Sequence, residues 1–135
     1  MQLLLKEVML DKIDFIQEKN AICFYFYNSS TGKDIGKVVC ENVFKVDMNT
    51  AFLFNEEKFP CFVLDVVYGK LENHEIVDHF NKLHYGFKDN GSAVIPKSDF
   101  YWYFGIEGGP IEIRILSSNI EKSLVESLDQ KDLRK

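Results

Sequence analysis

Residues 100–116 read FYWYFGIEGGPIEIRIL. Apolar side chains alternate along both halves of this stretch, and the residues between the halves, Glu107-Gly108-Gly109-Pro110, have the composition of a turn. The alternation predicts a β-hairpin with one apolar face that packs against a core. The expected pairs on that face are Ile106 with Ile111, Phe104 with Ile113, and Trp102 with Ile115.

The opposite face of this hairpin carries amphipathic and charged side chains. Tyr101 and Tyr103 come from its first strand, and Glu112 and Arg114 from its second. The same pairing places Tyr103 beside Arg114, a cation–π contact worth about 0.5–1 kcal/mol when exposed. Tyr and Arg often anchor protein interfaces, although Tyr also covers outer sheet faces simply because its ring packs while its hydroxyl stays wet. This face is therefore a candidate partner-binding surface.

Further strand patterns occur earlier in the chain. Residues 12–28 predict a second hairpin, with Tyr25 and Tyr27 on one face of its second strand. Residues 35–46 predict a strand that follows a turn rich in small polar residues. Residues 61–68 are apolar on both sides, which is typical of a central strand.

Three segments have a helical period. They are residues 1–10, residues 73–85 between the N-cap Asn73 and Gly86, and a C-terminal stretch capped by Ser117-Ser118-Asn119 with Ile120, Leu124 and Leu128 on one stripe. Residues 47–59 have no clear period. The sequence thus predicts a single α+β domain over residues 1–135, with one antiparallel sheet of about five to seven strands and helices packed on one face.

Charge and composition exclude several classes of partner. The chain has 135 residues, with 16 Lys and Arg against 21 Asp and Glu, a net charge of −5. Because the cations are not clustered, we expect no nucleic-acid partner. No apolar run is long enough to span a membrane, and Lys6 and Glu7 interrupt any leader core, so we expect a cytoplasmic protein without membrane contact. Cys23, Cys40 and Cys61 form no Cys-x-x-Cys and have apolar neighbours, which indicates buried, reduced thiols.

Two groups of residues bear on catalytic or metal chemistry. On the predicted helix, His74 with Asp78 and Glu75 with His79 form neighbouring pairs about 100° apart, so they do not converge on a metal ion. Asp65 lies within an apolar strand and therefore needs an open face or a partner such as Lys. A structural role is favoured because one carboxylate alone makes no acid–base pair. We expect no enzyme, metal or cofactor, while a role for Asp65 and the histidine cluster stays open.

The hairpin at residues 100–113 resembles the C-terminal hairpin of small bacterial immunity-type proteins from polymorphic toxin systems. The aromatic strand, the Glu-Gly-Gly turn and the Ile-x-Ile strand carry the resemblance, together with the small size, the acidic balance and the hairpin-rich N-terminal half. It implies a non-enzymatic cytoplasmic protein that binds and neutralises a cognate toxin domain.

The leading hypothesis is therefore a protein-binding domain, an immunity-type inhibitor whose acidic groups accelerate association with a basic toxin. The predicted partner-binding residues are Tyr25, Tyr27, Asp65, Tyr101, Tyr103, Glu107, Glu112 and Arg114. The alternative is a small-molecule binding or regulatory domain in which aromatic side chains line an apolar pocket. An exposed edge strand would also suit a second copy of the chain, so a homodimer is left open.

Overall fold

The structure, a computed structural model, describes residues 2–51, 58–71, 88–89, 92–93 and 101–125. Among these residues there is no α-helix, and a short 3-10 helix, Gln17–Lys19, is the one helical element. The strands are β1 (Gln2–Ile16), β2 (Ala21–Asn28), β3 (Asp34–Thr50), β4 (Cys61–Leu71), β5 (Lys88–Asp89), β6 (Ser92–Ala93), β7 (Tyr101–Glu107) and β8 (Ile111–Leu124).

Six of these strands form one antiparallel sheet that closes on itself. The order is β1-β2-β3-β8-β7-β4, and β4 pairs again with β1 to complete a barrel. β5 and β6 pair only with each other. Each of the six barrel strands has a neighbour on both sides over part of its length. In β3 the ladder with β2 covers residues 34–40, and the ladder with β8 continues to residue 50.

Alternating apolar side chains fill the barrel interior. Those that are fully buried include Val8, Leu10, Phe24, Phe26, Val38, Val63, Val66, Phe104, Ile106, Ile113 and Ile115. The rings of Phe24 and Phe104 lie 4.9 Å apart between centroids. These two phenylalanine rings therefore pack against each other inside the barrel.

The long strands bend at residues with positive φ. Glu7 in β1 has φ 52° and Asn42 in β3 has φ 50°. The bend of β3 is held by Asn20, whose Nδ2 donates to the Val43 carbonyl at 2.9 Å and whose carbonyl accepts the Val43 N–H at 3.0 Å. These bends let one strand pair with different neighbours along its length.

The predicted α+β class is wrong, because two of the predicted helices are strands. Residues 2–10 belong to β1, where the positive φ of Glu7 leaves Leu5 and Val8 both buried at a spacing of three, which imitates a helical period. Residues 117–124 continue β8. The spacing of four between Ile120 and Leu124 is also a multiple of two, so it suits one face of a strand. The predicted helix at 73–85 and Leu128 lie outside the described residues.

The predicted strands are confirmed, and one register is corrected. β1 and β2 form the hairpin of residues 12–28, while β3 and β4 include the strands predicted at 35–46 and 61–68. In the β7–β8 hairpin the pairs are Ile106 with Ile113, Phe104 with Ile115, and Trp102 with Ser117. This register is two residues from the predicted one, and a shift of two leaves every side chain on its expected face. The three cysteines are buried thiols, as expected.

Candidate functional site

A row of polar residues crosses the outer face of β3, β8 and β7. Asp47 on β3 lies opposite Arg114 on β8, and Arg114 lies opposite Gly105 on β7. Directly opposed residues of antiparallel strands share a face. The outer platform, as we name it, consists of Asp47, Tyr103, Glu107, Glu112 and Arg114.

Tyr103 reaches Arg114 by lying across a glycine. A Cβ atom at Gly105 would stand 2.9 Å from the Tyr103 hydroxyl oxygen and 3.0 Å from its Cε1, so the ring covers the space that another residue would fill. The Arg114 guanidinium lies close enough to the Tyr103 hydroxyl to lower its pKa through its charge and through hydrogen bonding. The ring position therefore depends on the absence of a side chain at residue 105. The predicted direct pairing of Tyr103 with Arg114 is wrong, because Leu116 stands opposite Tyr103.

The charges around this contact act on Tyr103 in opposite directions. Burial is the largest influence and raises the pKa of the Tyr103 hydroxyl above its usual 10.0, and the negative charge of Glu107 raises it further. The positive charge of Arg114 and its hydrogen bond lower the pKa and offset part of that effect. The net effect of burial and of these charges is a raised pKa, which favours the neutral phenol of Tyr103.

Carboxylates lie around the contact between Tyr103 and Arg114. The Asp47 Oδ2 lies 3.4 Å from the Nζ of Lys45, two residues earlier on the same strand. Asp47 and Glu112 also line a shallow cleft of about 170 Å³ together with Arg114. Asp65 on β4 stands between Lys6 of β1 and Glu107 of β7. Asp65 is half-exposed, so its face is partly open to solvent, which is one of the two alternatives that its sequence context allowed.

Two large apolar side chains lie next to the platform. Phe62 and Leu64 on β4 are 41% and 43% exposed, and we call them the apolar flank. The Leu64 N–H donates to the Gly108 carbonyl at 2.8 Å, which ties the strand to the β7–β8 turn. Gly108 adopts φ +75°, and a Cβ there would stand 2.7 Å from that of Leu64. The turn glycine therefore fixes this part of the flank beside Glu107.

The structure separates the predicted site residues into groups. Tyr103, Glu107, Glu112 and Arg114 lie on the platform, and Asp65 adjoins them. Tyr25 and Tyr27 lie on β2, where the Lys12 Nζ stands 4.6 Å from the centroid of the Tyr25 ring. A hydrogen bond with Cys23 is the first cause that raises the pKa of Tyr25 to about 12.

The expected exposure of Tyr101 is wrong. Tyr101 is only 1% exposed and is packed with Leu71 and Leu116 in a small cluster on the outside of the sheet. Its ring meets Phe44 edge-on, with centroids 4.9 Å apart. Burial raises the pKa of its hydroxyl, which has no hydrogen-bond partner among the described residues. Tyr101 supports the platform from beside it and does not present its ring to a partner.

A second polar cluster, at one end of the barrel, was missed in the sequence. Lys122 Nζ donates to the Tyr68 hydroxyl at 2.9 Å, and the Tyr68 ring stacks on Trp102 with centroids 6.0 Å apart. We call the region around Lys122, Tyr68 and Trp102 the open end. The sequence does contain a signal, because in a strand Lys122 shares one face with the apolar residues Ile120 and Leu124. The helical interpretation of that segment concealed it.

The described part of the chain contains no group of three or more His, Cys, Asp or Glu residues that could hold a metal ion. The histidine cluster at 74–79 lies outside it. In the same described ranges, no helix is long and apolar enough to cross a membrane.

The fold defines the class of protein as an antiparallel six-stranded barrel domain. A family model described as "-like:-like" matches residues 3–124, and the chain belongs to that family. The crystal structure of an uncharacterized protein from Neisseria gonorrhoeae is similar, with a TM-score of 0.59 and 18% sequence identity over 90% of this chain and 95% of that chain. This likeness extends to the fold alone. No curated protein matches the chain.

Proposed function

We propose that this protein is a non-enzymatic protein-binding domain, and that its partner contacts the outer platform and the apolar flank. The observation that carries the proposal is the combination of an Arg114–Tyr103 pair held in place over Gly105 with the exposed Phe62 and Leu64 on an adjoining strand. Apolar surface rimmed by polar groups marks interaction sites, and Tyr and Arg are enriched in them.

The charge of the surface favours a basic partner. Its carboxylates are Asp47, Asp65, Glu107 and Glu112, and its cations are Lys6, Lys45 and Arg114. Since the chain as a whole carries −5, its field attracts a cationic protein and accelerates encounter. The resemblance of residues 100–113 to immunity-type proteins supplies the partner class, a basic toxin domain. Inhibition would then be steric and electrostatic occlusion of the toxin surface by the platform.

The test is capture of a partner followed by reconstitution with purified proteins. Tagged protein is incubated in lysate of its own host, and any stoichiometric polypeptide is expressed separately and titrated back by calorimetry. We expect Phe62→Ser and Glu112→Lys each to weaken binding about tenfold or more. The first variant removes an exposed apolar side chain that the partner would cover, and the second reverses a charge that would face the basic partner.

Matched variants distinguish the proposed surface from a general effect of charge or exposure. Glu121→Lys changes an exposed acid on the other half of β8 by the same amount, and Phe15→Ser removes another exposed Phe, so both should bind as the native protein does. Equal losses for Glu112→Lys and Glu121→Lys would contradict the location of the surface. A partner that binds all variants equally would contradict the proposal itself.

A further inference from the structure

The core-facing side of β8 changes from apolar to charged toward its C-terminal end. Along the pairing of β3 with β8, Cys40 faces Ile120, Val38 faces Lys122, and Gly36 faces Leu124. Val38 and Cys40 are fully buried in the barrel core. Since opposed residues share a face, the Lys122 side chain leaves the sheet on its core side, where an apolar residue would continue the pattern.

Lys122 is held at this position by an aromatic pair. Its Nζ lies 4.1 Å from the centroid of the Tyr68 ring and donates to the hydroxyl of the same residue at 2.9 Å. Tyr68 in turn stacks on Trp102 at an interplanar angle of 23°, and the Nζ of Lys70 lies 5.5 Å from the Trp102 ring centroid. An ammonium group has three donors, so the bond to Tyr68 leaves further donors of Lys122 for a ligand.

These residues border a cleft of about 390 Å³ at the open end. It is lined by Gln2, Leu3, Leu4, Tyr68, Lys122, Leu124 and Val125. Among the described residues the lining includes no carboxylate. Leu3, which is 52% exposed, supplies its apolar part together with Leu4 and Leu124, and the rest of the exposed lining is mostly polar. Small-molecule sites often occupy the mouths of barrels.

We propose that the open end binds a small amphiphilic carboxylate, a molecule with an apolar body and one carboxylate group. The carboxylate accepts hydrogen bonds from Lys122 Nζ, and the body lies against Leu3, Leu4 and Leu124. Among the described lining residues Lys122 supplies the single charged side chain, and an ammonium is neutralised best by one anionic group. This site is separate from the platform and does not rest on the protein-binding proposal.

The sole tryptophan of the chain makes the proposal directly measurable. Trp102 stacks on the cleft residue Tyr68, so a ligand beside that ring should change Trp102 fluorescence. Octanoate is titrated into the full chain with this readout, and octylammonium serves as the probe with the same apolar body and the opposite charge. We expect a saturable change and a raised Tm with octanoate, and at least about tenfold weaker binding of octylammonium.

Lysine variants test whether the ammonium of Lys122 binds the carboxylate of the ligand. Lys122→Met keeps an unbranched apolar stem and removes the ammonium, and we expect it to weaken octanoate binding about tenfold or more. Lys37→Met is the matched control. Lys37 lies on β3 opposite Ser123, the residue after Lys122, but it is not part of the cleft lining. Tyr68→Phe leaves the ring and removes the hydroxyl that orients Lys122, so a smaller loss is expected.

Several results would overturn the proposal. They are no saturable change of fluorescence or Tm with octanoate, equal binding of octylammonium, or unchanged affinity in a Lys122→Met protein whose own Tm matches the native one. The platform variant Glu112→Lys should bind octanoate normally. Failure of octanoate binding with intact partner binding would therefore remove only this inference, and the reverse pattern would remove only the platform.

Discussion

The outer platform and the open end of the barrel are both carried by β8, and they place charge on opposite sides of the strand. In the first half, Glu112 and Arg114 point outward while Ile113 and Ile115 fill the core. In the second half, Lys122 points to the core side. Charged side chains ordinarily point outward from a sheet in water. At the platform it is therefore the exposed Phe62 and Leu64 that indicate a binding surface. Inward charge is unusual, because it requires the barrel to open around it.

The barrel core joins the two regions, and breaking it should have the largest effect. Phe104 is fully buried, pairs with Tyr68 on one side and Ile115 on the other, and packs on Phe24. We expect Phe104→Ala to lower the free energy of unfolding by about 3–5 kcal/mol, the usual cost of a large buried cavity. Denaturant titration measures this effect, and octanoate and partner binding should weaken together.

Phe15→Ala is the matched control for that variant, because Phe15 is 63% exposed. Exposed substitutions usually change stability by less than about 0.5 kcal/mol. A comparable loss in both variants would mean that burial does not separate these two phenylalanines, which would contradict the interior packing described above.

A glycine at the open end provides the next largest effect. Gly36 has φ +130°, and a Cβ there would overlap the Ser123 carbonyl oxygen, whereas Gly32 has φ +73° with open space around it. We expect Gly36→Ala to cost about 2–3 kcal/mol, because backbone strain and overlap add. Gly32→Ala isolates the strain alone and should cost about 1–2 kcal/mol.

Trp102 fluorescence during these denaturation experiments would sharpen the comparison of the two regions. Gly36 faces Leu124 of the cleft, so its substitution should alter octanoate binding as well as stability. Partner binding at the platform should not change. Equal costs for the two glycine variants would show that β3 and β8 separate at this point to admit the new side chain.

The sequence predicted strands well where the alternation is regular and failed where a strand bends. The β7–β8 hairpin and β4 were found from a period of two, which is a local property. The first part of β1, residues 2–10, was misassigned as a helix because the positive φ of Glu7 inserts a spacing of three between buried residues. Barrel closure depends on β1 pairing with β4, a contact between residues far apart in sequence that no local period reports.

The candidate site was predictable to a similar extent. A shift of two residues in the register of a hairpin leaves each side chain on the same face. The outer face therefore holds the expected residues Tyr103, Glu107, Glu112 and Arg114. The burial of Tyr101 depends on Phe44 and Leu71, which come from other strands. The open end required both barrel closure and the strand character of residues 117–124. Neither was accessible from local patterns.

The smallest expected effect concerns the protonation of Tyr103 on the platform. Burial raises the pKa of this hydroxyl, and Arg114 lowers it through charge and a hydrogen bond. Arg114→Gln removes the positive charge, so the pKa should rise further. A raised pKa means that the folded state favours the neutral phenol. Its contribution to stability is therefore complete below the unfolded pKa of about 10 and is lost as the pH rises through the folded pKa.

Carbon-13 NMR of tyrosine labelled at Cζ would measure this titration, with Tyr103→Phe to assign the signal. In the Arg114→Gln protein the Tyr103 transition should move to higher pH, while Glu121→Gln, which changes a distant charge, should leave it in place. A transition that moves to lower pH would mean that the guanidinium does not contact the hydroxyl. The platform would then lack the fixed Arg–Tyr pair on which its role as a binding surface depends, while the open end, which shares no residue with it, would be unaffected.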